Sequence, residues 1–367
     1  MRPHEKSSKA QNTTVQSAFS RDMAPLPDAF GPVFFKNQFR THIELPTKEK
    51  YPDVQGKCAI VTGSNTGLGF ESARQLLALG LSHLVLGVRS IEKGKAAAAK
   101  LQTANSAAKI EVWQLDMESY DSIQAFAQKC QADLLRIDMV ILNAGLALTQ
   151  FGTVSATGHE KTIQVNHIST ALLAIILIPI LKSKKIGQNE PRLTIVNSVT
   201  AHLVKFPNRD QRPLLTSFDD TDITPWDAEE RYGVSKLLCQ LFIVKLAEHI
   251  DSDDVIINMV DPGLTKGTSL ARNAKGATGV AAKLFFAAAG RPVATGAATY
   301  VDAVLGHGKE SHGCFLMNCN ISPLSRWFYT GGSELTDAVW GETVEELSFA
   351  GVRDIISPAL AICSRAA

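Results

Sequence analysis

Between Lys57 and Gly263, short apolar runs rich in β-branched residues alternate with longer stretches of helical periodicity. The runs are "CAIVTG", "HLVLGVR", "IEVWQLD", "IDMVILNAG", "RLTIVNSV" and "VIINMVDPG". Between them lie "LGFESARQLLALG", "SIEKGKAAAAKLQTA", "DSIQAFAQKCQAD", a long helix over about 156–184, and "RYGVSKLLCQLFIVKLAEHI". Short apolar runs bounded by turn signals read as buried strands, and apolar residues three and four apart read as helix faces. Strands alternating with helices need right-handed crossovers, so the pattern predicts an α/β fold: a single doubly wound parallel sheet with helices on both faces.

The expected organisation is an extension over 1–52, one domain over 53–349 and a tail over 350–367. Residues 1 to about 25 are rich in Ser, Lys, Gln and Thr and are expected to be disordered. "FGPVFFKNQF", at 30–39, is aromatic enough to dock on the domain that follows. The 37 basic and 36 acidic side chains nearly cancel, so no global field favours nucleic acid or an anionic membrane. Lys182, Lys184 and Lys185 are read as a helix C-terminal cap. The run "ALLAIILIPIL" at 171–181 is short for a bilayer and contains Pro179, so a buried helix and no integral membrane segment are expected. The six cysteines are scattered without a CxxC pair, and the N-terminus lacks an apolar leader, which points to a cytoplasmic protein with free thiols. Cys314 and Cys319 lack a second Cys/His pair at zinc spacing, and His307 and His312 flank a turn, so no metal site is expected.

The octapeptide "TGSNTGLG" at 62–69 follows the first strand. In a doubly wound sheet, ligands sit outside the carboxyl ends of the strands. A glycine-rich turn there lets backbone N–H groups approach a pyrophosphate at a positive helix end. Gly63, Gly67 and Gly69 fit that task, because a Cβ would block either the turn or the approach. No Gly-Lys-Ser/Thr follows, so this is not a phosphate-binding P-loop. The second strand ends Gly87-Val88-Arg89-Ser90 without the acid that would select NAD. Arg89, with Lys93 one turn on, is a bidentate partner for a 2′-phosphate, so NADP(H) is expected; the plainer alternative is that both solvate a helix start.

Three later stretches carry the reactive side chains: "QVNHIS", "VNSVTA" and "YGVSK". Tyr232 and Lys236 are four apart and share a helix face. An ammonium beside a phenol favours the phenolate, so Lys236 is expected to lower the pKa of Tyr232 and make it a proton donor near neutral pH. Ser198, at a strand end, is placed to hydrogen-bond the same carbonyl oxygen. Asn166 lies mid-helix, where a polar side chain needs a reason.

In order, Thr62-Gly63-xxx-Gly67-x-Gly69, Asn143-Ala144-Gly145, Asn166, Ser198, Tyr232-xxx-Lys236 and Pro262-Gly263 resemble the short-chain dehydrogenase/reductase family, over about 54–348. The resemblance implies a Rossmann fold, with Tyr232 as general acid/base, Ser198 polarising the carbonyl, and Lys236 binding the nicotinamide ribose. It implies that Asn166 holds a proton-relaying water, Asp116 touches the adenine, Asn143 lines the cofactor, Leu68 faces the pyrophosphate, and Pro262 to Thr265 cover the nicotinamide. The helices at about 156–184 and 230–249 would permit a homodimer, and the long insert leaves a monomer as the alternative.

The stretch between Ser198 and Tyr232 is longer than in simple members, which resembles retinol-dehydrogenase-like enzymes and fungal secondary-metabolite reductases. "QFRTHIELPTKEKYPDVQGKCAIVTGSNTGLGFESARQ" and "ESHGCFLMNCNISPLS" resemble the fungal group in particular. Substrate loops are expected at about 200–230, where Phe206, Phe218 and Trp226 suit a bulky apolar substrate, and at about 264–292, with the apolar "AAKLFFAAAG". The reading is an NADPH-dependent reductase of a small lipophilic ketone or aldehyde in fungal secondary-metabolite biosynthesis. The alternatives are an NAD(P)-dependent dehydrogenase of a retinol- or steroid-like alcohol, and a non-catalytic dinucleotide-binding scaffold.

Overall fold

The computed structural model describes residues 19–223, 225–266 and 288–357. Its centre is an eight-stranded sheet of β1 Cys58–Thr62, β2 His83–Val88, β3 Lys109–Gln114, β4 Met139–Leu142, β5 Arg192–Val196, β6 Ile256–Asp261, β7 Phe315–Met317 and β8 Asn320–Ser322. The strand order is β3-β2-β1-β4-β5-β6-β7-β8, parallel throughout except for the antiparallel β7–β8 pair. β1, β4 and β6 are buried along their whole length, as unbroken apolar runs covered on both faces must be. The chain leaves β1 in one direction and β4 in the other, so a crevice opens at their carboxyl ends.

Two apolar cores sandwich the sheet. One contains Leu76, Leu77, Tyr300 and Val301 from helices Gly67–Ala78 and Val293–Leu305. The other contains Phe126, Leu172, Leu177 and Phe242 from helices Tyr120–Asp133, Lys161–Ser183 and Ala228–Glu248. Helix Lys161–Ser183 runs past the 171–181 apolar run and is long and apolar enough to cross a membrane, but 89% of its apolar window is buried inside the fold. The same side carries helices Gly332–Glu346 and Val352–Ile356, so the start of the expected tail is part of the core. They cover the two helices expected to pair two copies: Trp340 stacks on Phe242 at 5.1 Å, and the last helix packs on Lys161–Ser183. Most apolar side chains of these two helices are buried within the chain.

Two features differ from expectation. β7 and β8 form a hairpin missed as strands, because each has three residues and the turn uses Asn318 and Cys319 at φ +53° and +61°, without the glycine that marks such turns. Residues 19–25, expected to be disordered, are ordered: Ser20 is fully buried, its hydroxyl accepts from the Phe315 N–H at 2.9 Å, and its carbonyl accepts from Tyr329 at 2.5 Å. Residues 1–18 and 358–367, and with them most of the expected tail, lie outside the described residues. The aromatic run does dock, as helix Phe30–Phe35 continued by the π-helical turn Lys36–Arg40.

Candidate active site

The glycine turn sits where β1 enters helix Gly67–Ala78. Gly63 has φ +63°, and a Cβ there would come within 3.0 Å of the Ala144 backbone. At Gly69 a Cβ would meet Asn143 Nδ2 at 2.5 Å. Asn143 explains that closeness: its amide donates to the Thr62 and Gly63 carbonyls at 2.8 and 3.2 Å, tying β4 to the turn. Asn143 thus holds the cradle as well as lining it.

A cavity of about 890 Å³ runs from this turn across the carboxyl ends of the strands. Gly63, Gly67, Leu68, Arg89, Lys93, Asp116, Asn143, Ser198, Tyr232, Lys236, Pro262 and Thr265 all line it. Of the expected site residues, Gly69 and Asn166 stand just behind the lining, Gly69 against Asn143 and Asn166 against Gly145. Its size and its donor-rich glycine end fit a dinucleotide.

At the β2 end, Arg89 is exposed and paired with Glu118, a carboxylate the sequence reading overlooked; Nη1 to Oε1 is 2.9 Å. Lys161 holds the other oxygen of Glu118 at 3.1 Å. Asp116 Oδ1 accepts from the Glu118 N–H at 3.0 Å, which fixes the β3 loop against the cavity.

At the other end stand the reactive side chains. Ser198 lies just past β5 and caps a 3₁₀ turn, its hydroxyl 3.2 Å from the Thr200 N–H. Tyr232 projects from the first turns of helix Ala228–Glu248 and shares a hydrogen bond with Ser198. Lys236 Nζ lies 5.9 Å from the centre of the Tyr232 ring and donates to the Val196 carbonyl at 2.9 Å. The expected lowering of the Tyr232 pKa is not what this arrangement gives. Burial, then the charge of Asp261, pushes the phenol up, and the hydrogen bond from Ser198 offsets only part of that. Burial also lowers the pKa of Lys236, which weakens the ammonium that was to act on the phenol.

Asn166 sits in a π-helical turn, Gln164–Ile168, of the kind often found at functional sites. Its Oδ1 accepts from the Leu146 N–H at 2.9 Å, and its Nδ2 donates to the Leu146 carbonyl and the Ser235 hydroxyl at 2.8 and 3.0 Å. The side chain thereby locks the β4 loop to the helix that carries Tyr232.

Two expected substrate walls fare differently. Phe206 and Phe218 are not in the cavity: both are fully buried, stacked 6.3 Å apart, with Phe206 edge-on to Trp327. Trp226 is packed on Phe151 and Arg231. Among the described residues, the long insert reaches the cavity through Thr200, Leu203, Ala228 and Glu229. Of the loop at 264–292, residues 267–287 lie outside the described residues, including most of "AAKLFFAAAG". Its ends contribute Leu264, Thr265 and Arg291.

The sequence reading also missed Asp261, Arg291 and the N-terminal lining. Asp261 is buried, accepts from the Val199 and Gly263 N–H groups at 2.9 and 3.0 Å, and has its pKa raised by burial. Arg291 donates to the Pro262 carbonyl at 3.2 Å and to Asn37 and Asn318. Phe30, Phe34, Asn37 and Gln38 line the cavity from the extension. Among the described residues no group of His, Cys, Asp and Glu is gathered to hold a metal ion.

The family model for short chain dehydrogenases matches residues 57–207. The chain is 50% identical to the short chain dehydrogenase/reductase mfmJ of Annulohypoxylon moriforme, over 92% of this chain and 97% of that one. It is 44% identical to the short chain dehydrogenase virL of Hypocrea virens, over 88% and 94% of the two chains. The fold resembles that of an L-sorbose reductase from Gluconobacter frateurii solved with NADPH and L-sorbose, with a TM-score of 0.54 over 72% of this chain and 96% of that one, at 19% identity.

Proposed function

The chain belongs to the short-chain dehydrogenase/reductase family, and from that premise we propose that it is an NADPH-dependent reductase of a lipophilic ketone or aldehyde. The observation that carries this reading is one cavity with Arg89 and Lys93 at one end and Ser198, Tyr232 and Lys236 at the other. A nicotinamide cofactor, when bound, supplies the hydride that turns the carbonyl carbon into that of an alcohol. Gly63, Gly67, Leu68 and Gly69 would hold its pyrophosphate, Asp116 its adenine, Asn143 and Lys236 its nicotinamide half, and the segment from Pro262 to Thr265 would cover the ring. Arg89 and Lys93 would take the 2′-phosphate.

Tyr232 gives the proton. The phenol is protonated at neutral pH, as an ordinary tyrosine already is, and that is the form a reduction needs. As the carbonyl oxygen gains negative charge it becomes a stronger base than the phenolate and takes the proton. The Ser198 hydroxyl donates to that oxygen and positions it against Tyr232. Asn166 keeps the β4 loop and the Tyr232 helix in register, and the water it would hold leads protons towards Lys236. The fungal relatives favour a tailoring step in secondary-metabolite biosynthesis, and the five described cysteines, all free, suit a cytoplasmic setting.

A second reading, NAD(P)-dependent oxidation of a retinol- or steroid-like alcohol, gains in its NAD form from one observation: Glu118 puts a carboxylate beside Arg89 after all. A non-catalytic scaffold would not need Ser198, Tyr232 and Lys236 together in the cavity. Titration with NADPH and NADH separates the readings. NADPH is expected to bind at least tenfold tighter, and equal or reversed affinities would overturn the cofactor assignment.

A further inference from the structure

The extension that precedes the sheet supplies part of the cavity wall. Phe30, Phe34, Asn37 and Gln38 follow helical spacing, so they share one face of the Phe30–Arg40 segment. Phe30 and Phe34 are half-buried with ring centres 6.5 Å apart, while Phe35 and Phe39 on the other side are about half exposed. The segment is latched in place by polar bonds. Gln38 Nε2 donates to the Leu264 and Ala289 carbonyls at 2.7 and 2.8 Å, one on each side of the loop after β6. Arg291 adds a bond to the Asn37 carbonyl while holding that of Pro262. The same short segment thus lines the cavity and bonds to both described ends of the neighbouring loop.

From this placement we propose that Phe30 and Phe34 form a substrate-facing wall that selects flat aromatic carbonyl compounds over small aliphatic ones. The inference rests on the reductase reading for the word substrate, but its physical content is the wall. Two aromatic rings lining a cavity that also presents Leu146, Leu148, Val199 and Leu203 favour a planar apolar ligand, because ring faces and edges stack on it.

The test uses the full chain saturated with oxidised nicotinamide cofactor, so that binding is read at equilibrium without turnover. The probes are 2-acetylnaphthalene and 2-butanone, titrated by calorimetry against the wild type, Phe30→Ala, Phe34→Ala and Phe34→Leu. Each alanine variant is expected to weaken the naphthyl ketone roughly tenfold and to narrow its preference over butanone by the same factor. Phe34→Leu keeps bulk without a ring face and is expected to narrow it too; it decides the matter should the alanine variants lose cofactor affinity. An unchanged preference in variants that still bind cofactor overturns the proposal, as does a wild type that does not bind the naphthyl ketone. Turnover with NADPH is scored separately. Binding without reduction overturns the reductase reading and leaves the wall standing.

Discussion

Arg89 Nη1 lies 2.9 Å from Glu118 Oε1, so the cation expected to read the cofactor is already paired with an acid. Arg89 is largely exposed, and an exposed ion pair contributes little, so the guanidinium can exchange partners at small cost. A 2′-phosphate entering here would nevertheless meet the Glu118 carboxylate. Glu118→Gln is expected to raise the NADPH:NADH affinity ratio roughly three- to tenfold, the equivalent of about 0.7–1.4 kcal/mol. Fluorescence titration of both cofactors checks it; a ratio that falls would mean Glu118 supports binding of the phosphate end.

Phe206 is fully buried between Phe218 and Trp327. Phe206→Ala is expected to destabilise the fold by about 3–5 kcal/mol and leave the relative preference among ketones unchanged. Thermal unfolding and a ketone panel check both halves. A changed preference with unchanged stability would return Phe206 to the substrate wall.

His159 lies between Asp219, 2.9 Å from Nδ1, and Glu346, 3.3 Å from Nε2. Hydrogen bonds to these two carboxylates raise its pKa from 6.5 to about 9. The folded chain therefore holds a proton that the unfolded chain releases. The resulting stability is complete below about pH 6.5 and is lost as the pH rises through about 9. His159→Gln should accordingly lower stability by roughly 2 kcal/mol at pH 6 and by much less at pH 9.5. Melting curves at the two pH values test this, and a gap that widens with pH would contradict it.

The central six strands and their crossovers were legible because unbroken apolar runs and helical spacing are local signals. Much of the cavity lining between Gly63 and Thr265 was legible because motifs tie those residues to strand ends and to the helices that follow; Glu118 and Asp261, in the same lining, belong to no such motif. Burial was not: Phe206 and Trp226 carry the same apolar signal whether they face a ligand or the core. Glu118 escaped notice because it follows β3, while the acid sought for NAD belongs at the end of β2. The direction of the Tyr232 pKa depends on burial and on Asp261, which a YxxxK spacing does not contain. The wall formed by Phe30 and Phe34 comes from the extension, whose lining residues lie more than twenty positions before the glycine turn, and only docking brings them there.

In the proposed NADPH-dependent reduction, Tyr232 is the proton donor. The most direct measurement follows NADPH consumption and alcohol formation with an aromatic ketone, wild type beside Tyr232→Phe, with NADPH affinity measured in parallel. One alcohol is expected per NADPH in the wild type, with a kcat lower by about 10²–10⁴ in the variant at unchanged NADPH affinity. A variant that reduces the ketone as fast as the wild type would contradict it.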